Sequence, residues 1–305
     1  MEDRKQQALR GVIPAICTPL NETGGVDHGL LEKQAAYLSQ AGVNGFFIGG
    51  TTGEGAYLST AEKREVFRTV KSIKAPDQIL CAAYIQPSTA SVCDEMKSLE
   101  DTEPDYVVAV TPYYLSMRQE DIIDHYRLIA HNTSVPLILY NIPGNTHNPI
   151  SLGTISVLSE EDNIIGIKDS TGDFIQFSRG ILENHAEGFC WIQGADLVDG
   201  PSLMLGCAGV VSGLSNARIE PYIEMYRAAQ KGNWEAVRLC QQRIIQLHAI
   251  IDQCGNSIAA VKTASELAGR GSRWMRQKSQ TLSDKQAAEI AVILEEFDKQ
   301  PPFDN

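Results

Sequence analysis

The chain has 305 residues, of which 43% are hydrophobic and 21% charged, a balance that suits a globular protein with a large buried core. Lysine and arginine number 26 against 38 aspartates and glutamates, a net charge of −12, and no basic cluster interleaved with aromatics offers a face to nucleic acid. Residues 1–7 are polar and no long apolar run follows them, so neither a signal peptide nor a membrane anchor is expected. The seven cysteines form an odd set without a Cys-x-x-Cys, and are expected to be reduced core residues of a cytoplasmic protein.

From residue 11 onward, short apolar strands alternate with amphipathic helical stretches. Residues 12–16 form the first expected strand and 30–40 the first helix, closed by Gly42. A second strand at 43–48 runs into Gly49-Gly50-Thr51-Thr52-Gly53-Glu54-Gly55, after which Ser59 or Thr60 caps a helix. Strand three covers 78–84, with a helix over 88–99. Strand four covers 106–110 and leads through Thr111-Pro112-Tyr113-Tyr114 to a helix over 120–130. Pro136 opens the fifth strand and a helix starts at Leu152; the sixth strand carries Lys168, with a helix after Asp173. The seventh strand is 189–193, followed by a helix over 196–205, and the eighth is 209–212.

Eight such alternations indicate an α/β fold, a (β/α)8 TIM barrel over residues 1–225. A doubly wound open sheet is the alternative, disfavoured because the first βα turn has no Gly-x-Gly-x-x-Gly. Helical patterns at 221–230, 234–251, 258–267 and 284–297 predict the last barrel helix and a C-terminal helical extension over 226–305, packed on the barrel.

In such barrels the reacting groups sit at the C-terminal ends of the strands. Those ends carry Thr51, Thr52, Tyr113, Tyr114, Tyr140, Lys168, Gly194, Asp196 and Ser212. Strand alternation puts Ile164, Gly166 and Lys168 on one face and Ile165 and Ile167 on the other. A lysine ending a buried strand is desolvated, which favours the neutral, nucleophilic amine; the plainer reading is that it snorkels to solvent. The glycine-rich loop at 49–55 precedes a helix and could receive an anion on its N–H groups. It lacks Gly-Lys-Ser/Thr, so a substrate carboxylate is the expected guest. The histidines show no ligand spacing, and neither a metal nor another cofactor is expected.

Gly-Thr-Thr-Gly-Glu at 50–54, Thr-Pro-Tyr-Tyr at 111–114, Tyr-Asn-Ile-Pro at 140–143 and Gly-Ile-Lys-Asp-Ser-Thr-Gly-Asp at 166–173 resemble the dihydrodipicolinate synthase/N-acetylneuraminate lyase family. The similarity runs over residues 11–270 and includes Asn-Ser-Ile-Ala-Ala-Val-Lys at 256–262. It implies a lysine-imine enzyme acting on a 2-oxo acid such as pyruvate and an aldehyde, assembled as a homotetramer of two dimers. Lys168 matches the imine-forming lysine and Tyr140 the proton-shuttling phenol. Thr51 and Tyr114 match its relay partners, Tyr114 reaching in from a neighbouring subunit. Thr51 and Thr52 match the carboxylate-binding pair, and Val211 sits where a strand carbonyl faces the substrate. The expected substrate-binding set is Gly50, Thr52, Asn145, Ser170, Gly194 and Val211.

The sequence departs from the synthases at one telling position. They carry an arginine two residues after the proline of the tyrosine motif, and Asn145 stands there. Asparagine can hydrogen-bond a hydroxyl but cannot grip a carboxylate in the bidentate, charged way of a guanidinium. The expected reaction is therefore reversible cleavage of a 2-oxo-3-deoxy sugar acid or 4-hydroxy-2-oxo acid to pyruvate and an aldehyde. Dihydrodipicolinate synthase itself, a sugar-acid dehydratase using the same imine, a pyridoxal-phosphate barrel and a non-catalytic ligand-binding barrel stay open. Control by free lysine is not expected, because Pro87 and Ser91 stand where lysine-sensitive relatives need an amide and a carboxylate.

Overall fold

The computed structural model describes residues 9–183 and 186–299. Among them, eight strands pair in parallel. They are β1 (Gly11–Val12), β2 (Gly45–Ile48), β3 (Ile79–Tyr84), β4 (Tyr106–Val110), β5 (Leu137–Asn141), β6 (Ile164–Asp169), β7 (Cys190–Gln193) and β8 (Gly209–Val210). They follow one another in sequence order around the sheet, with β1 paired to β8. A parallel bridge from Ala15 to Phe47 joins the chain beyond β1 to β2 and closes the barrel. The first strand is shorter than the apolar run at 12–16 because Pro14 has no N–H to give to a ladder.

Helices α1 (His28–Ala41), α2 (Thr60–Ile73), α3 (Thr89–Ser98), α4 (Gln119–His131), α5 (Leu152–Ser159), α6 (Phe174–Glu183), α7 (Asp199–Met204) and α8 (Glu220–Gln230) surround the strands. Local chemistry sets their starts. The Asp27 side chain accepts the Leu30 N–H, Ser59 and Glu62 form a reciprocal capping box on α2, and Ser88 and Ser151 cap α3 and α5. Gly42, at φ 87°, ends α1 in the left-handed conformation that glycine adopts without strain. The single helix expected over 196–205 is instead a 3₁₀ turn, Asp196–Val198, followed by α7. Pro201 is tolerated only in the first turn of a helix, so the α-helix has to begin just before it. A short helical turn, Pro143–Thr146, lies where only a loop was expected; Pro143 occupies its first position.

The register of β6 departs from simple alternation. Leu137 pairs with Ile164 but Ile138 pairs with Gly166, so Ile165 is an extra residue in the β5–β6 ladder. This bulge breaks the alternation. Ile165 packs inside the barrel with Phe47, Val108, Ile138 and Ile192, while Ile164 and Ile167 pack outward against the helices. Ile164 thus does not share the face of Lys168.

Three helices follow the barrel: α9 (Trp234–Cys254), α10 (Ser257–Leu267) and α11 (Asp284–Lys299). Arg270, just past α10, is buried and donates to Gln34 Oε1 and to the carbonyls of Asn216 and Ala217, each at 2.7 Å. This fastens the extension to α1 and to the turn after β8. No helix among the described residues is long and apolar enough to cross a membrane.

Candidate active site

Lys168 lies on β6 and points into the barrel, with only 4% of its surface exposed. Its Nζ stands 4.0 Å from the ring centroid of Tyr140 and 4.2 Å from that of Phe47. The amine is thus held among aromatic faces and does not snorkel out. Tyr140, on β5, pairs across the ladder with Lys168. Its hydroxyl shares a hydrogen bond of 3.5 Å with Thr51 Oγ1, on the loop after β2. Burial pushes the Tyr140 phenol up, but the Lys168 charge and hydrogen bonds with Thr51, Lys168 and Ser170 outweigh it, and the net shift is downward.

The remaining expected residues fall into three groups. Ser170 and Gly194 lie beside the lysine: Ser170 Oγ donates to Gly194 O at 3.3 Å. A Cβ on Gly194 would come within 2.1 Å of Ser170 Oγ and 3.0 Å of Lys168 Cε, so only glycine leaves room there. Val211 is buried in the barrel interior, and its carbonyl accepts no hydrogen bond among the described residues. The Ala195 N–H that the ladder would aim at it goes instead to Gln193 Oε1 at 2.9 Å, which leaves a free acceptor. Thr52 and Gly50 stand on the loop with Thr51, Thr52 close enough to Gly213 that a Cβ there would meet its hydroxyl at 2.4 Å.

Above this cluster opens a cavity of about 430 Å³. Thr51 and Asn145 both line it, so Thr51 connects the open cavity to the buried Tyr140. Tyr113 lines it as well. Tyr114 does not: it is 91% exposed, at φ 80°, and its own chain leaves it outside the site. His147, the nearest basic residue to Asn145 in sequence, is exposed and not part of the wall.

Sequence reasoning missed the far wall, which the C-terminal extension supplies through Asn256, Met275 and Gln280. It also missed Phe47 beneath the lysine. The apolar run at 43–48 carries no alternation to show which residue faces inward, and the contribution of residues 256–280 depends on tertiary packing alone.

The model of the dihydrodipicolinate synthetase family matches residues 8–297. The chain belongs to that family. It is 32% identical to a 4-hydroxy-tetrahydrodipicolinate synthase of Methanospirillum hungatei, over 95% of this chain and all of that one. Among solved structures it is similar to dihydrodipicolinate synthase from Acinetobacter baumannii complexed with pyruvate (29% identity, TM-score 0.89), over 95% of this chain and 99% of that one. It is likewise similar to the synthase from Cyanidioschyzon merolae with lysine bound (30% identity, TM-score 0.87), over 95% and 98% of the two chains. As a member of the dihydrodipicolinate synthetase family, the protein is a class I lyase of the Schiff-base aldolase type.

Proposed function

We propose that Lys168 forms an imine with a pyruvate-type 2-oxo acid and that the enzyme reversibly cleaves a 2-oxo-3-deoxy sugar acid or 4-hydroxy-2-oxo acid. Nζ adds to the C2 carbonyl and water leaves, giving an iminium. As the C3–C4 bond breaks, its electron pair flows into the iminium to make an enamine, and the C4 hydroxyl loses its proton and becomes the aldehyde. Tyr140, in contact with Thr51, takes that proton; the enamine is then protonated at C3, and water releases pyruvate and the free lysine. Thr51 and Thr52 receive the C1 carboxylate, and Tyr114 of a neighbouring subunit completes the relay in a dimer-based tetramer. All seven cysteines are unpaired, which supports a cytoplasmic setting.

The observation that carries this reading is the chemistry of the cavity wall. Asn145, Asn256 and Gln280 present neutral amides, and no lysine, arginine or histidine lines the wall among the described residues. A hydroxylated aldehyde suits those amides, whereas a second carboxylate would find no cation. The synthase reading is favoured by the name of the Methanospirillum relative and its full-length match. Two measurements separate them. Pyruvate and borohydride should leave a reduced adduct on Lys168 and none in Lys168→Ala. A panel of 2-oxo-3-deoxy sugar acids should release pyruvate faster than aspartate semialdehyde consumes it. Label at another residue, or turnover unchanged in Lys168→Ala, overturns the imine; faster condensation with the semialdehyde selects the synthase.

A further inference from the structure

Glu54 closes the glycine-rich loop after β2 and adopts φ 54°, a left-handed conformation that a glutamate rarely adopts. Its carboxylate is fully spoken for. Oε1 accepts from Lys262 Nζ on α10 at 2.5 Å, and Oε2 accepts the Arg276 N–H at 2.8 Å. Both side chains of the pair are 1% exposed. The two residues lie 208 positions apart, so the contact ties the C-terminal extension directly to the loop that bears Thr51 and Thr52.

The backbone of Glu54 shapes that loop. Its N–H donates to the Thr51 carbonyl at 3.0 Å, and the next N–H, of Gly55, donates to Gly50 O at 3.0 Å. Thr18 Oγ1 holds Gly53 O at 2.9 Å from the other side. These bonds fix the direction of the loop N–H groups and of the Thr51 hydroxyl that meets Tyr140. We propose that the buried Glu54–Lys262 pair is a positioning device, through which α10 holds the Thr51–Thr52 loop in the shape that receives the substrate carboxylate. The proposal rests on the pyruvate-imine reading above. Neither residue touches the reacting atoms, so the pair acts on carboxylate binding and leaves the amine and phenol in place.

A merely stabilising pair would affect all ligands alike. The discriminating measurement therefore compares pyruvate with methyl pyruvate, which forms the same imine but lacks the charged carboxylate. Half-saturating concentrations for borohydride-trapped adduct are determined for both in the wild type and three variants. Lys262→Met leaves Glu54 buried without its cation and is at risk of misfolding. The double variant Glu54→Gln/Lys262→Met buries no charge, and an amide at position 54 still accepts the Arg276 N–H, so it keeps the fold while losing the tie to α10. Lys262→Arg retains the charge and serves as the rescue.

The expected result is that the double variant loses roughly ten- to a hundredfold in its preference for pyruvate over the methyl ester, the worth of a charge-assisted hydrogen bond to the carboxylate. Adduct yield at saturation stays as in the wild type, and Lys262→Arg recovers most of the preference. A folded double variant with an unchanged preference overturns the proposal, as does an equal loss for both ligands. Absence of adduct in the wild type would instead overturn the imine reading itself.

Discussion

Tyr140 sits between two opposed influences, and the sign of its shift can be read experimentally. The Lys168 charge favours the phenolate while burial disfavours it. Ultraviolet difference titration should therefore show one tyrosine ionising below the ordinary range, absent in Tyr140→Phe. In Lys168→Ala the cation is gone while burial and the bonds to Thr51 and Ser170 remain, so the same tyrosine should move up. A phenol unmoved by loss of Lys168 would show that the two groups are not coupled. As the acid–base group, its loss in Tyr140→Phe should slow turnover roughly 10²–10⁴-fold while the imine still traps. Asn145 makes a second test at this scale. Asn145→Arg would place a cation on a wall that has none among the described residues, and should improve condensation with aspartate semialdehyde about ten- to a hundredfold, from a charge-assisted hydrogen bond of about 1.5–3 kcal/mol. Free lysine should inhibit neither form. Ser91 is committed to the α3 cap, its N–H and hydroxyl both bonded to Ser88 Oγ, and Pro87 has no donor to offer. Unchanged condensation in the variant would remove Asn145 as the determinant of substrate choice, and inhibition by lysine would show that Pro87 and Ser91 do not bar the effector.

At the scale of elements, one buried histidine couples three of them to pH. His125 on α4 donates from Nε2 to Val110 O at the end of β4 (3.0 Å), so its Nδ1 accepts from Thr89 Oγ1 on α3 at 2.8 Å. Burial holds its pKa down, to about 4, below the ordinary 6.5. The unfolded chain therefore binds a proton that the folded one refuses. The stability this contributes is present above pH 6.5 and is lost as pH falls from 6.5 towards 4, up to about 3 kcal/mol. His125→Gln can keep both hydrogen bonds without titrating, so its stability should fall less steeply across that window in denaturant titrations; parallel slopes would remove His125 as the cause. Such couplings mark where the sequence stops being legible. The alternation of strands and helices, Gly42 and Ser59 as end signals, and Lys168 and Tyr140 at strand ends are local patterns and could be read directly. The bulge at Ile165 could not, because in the apolar stretch 164–167 that opens β6 neither face is marked by polarity. Nor could the Glu54–Lys262 pair, whose partners meet only after the extension folds over the barrel mouth.

At the scale of the whole molecule, the residue that stands out is the one the chain does not use for itself. Tyr114 is 91% exposed, its neighbour Leu115 is 68% exposed, and Tyr114 holds φ 80°. A positive φ on an aromatic residue costs of the order of 1–3 kcal/mol and persists where function or packing demands it. Exposure of two adjacent large apolar side chains points to a covering surface, and a second copy of this chain is the proposed one, with Tyr114 entering the neighbour's site. Tyr114→Gly tests strain and function together. Glycine relieves the positive φ but also gains freedom in the unfolded chain, and the two effects nearly offset, so stability of the variant should stay within about 1 kcal/mol of the wild type. Activity should nevertheless fall by roughly 10²-fold or more, since each site loses a relay group supplied in trans. Mixing Tyr114→Gly with Lys168→Ala subunits separates the roles. A mixed dimer pairs an intact Lys168 site in one subunit with an intact Tyr114 from the other, and should regain activity that neither parent has. Failure of the mixture to recover activity, with subunit exchange verified by mass spectrometry of the intact assemblies, would place Tyr114 outside the partner's site and leave its strained backbone to interface packing alone.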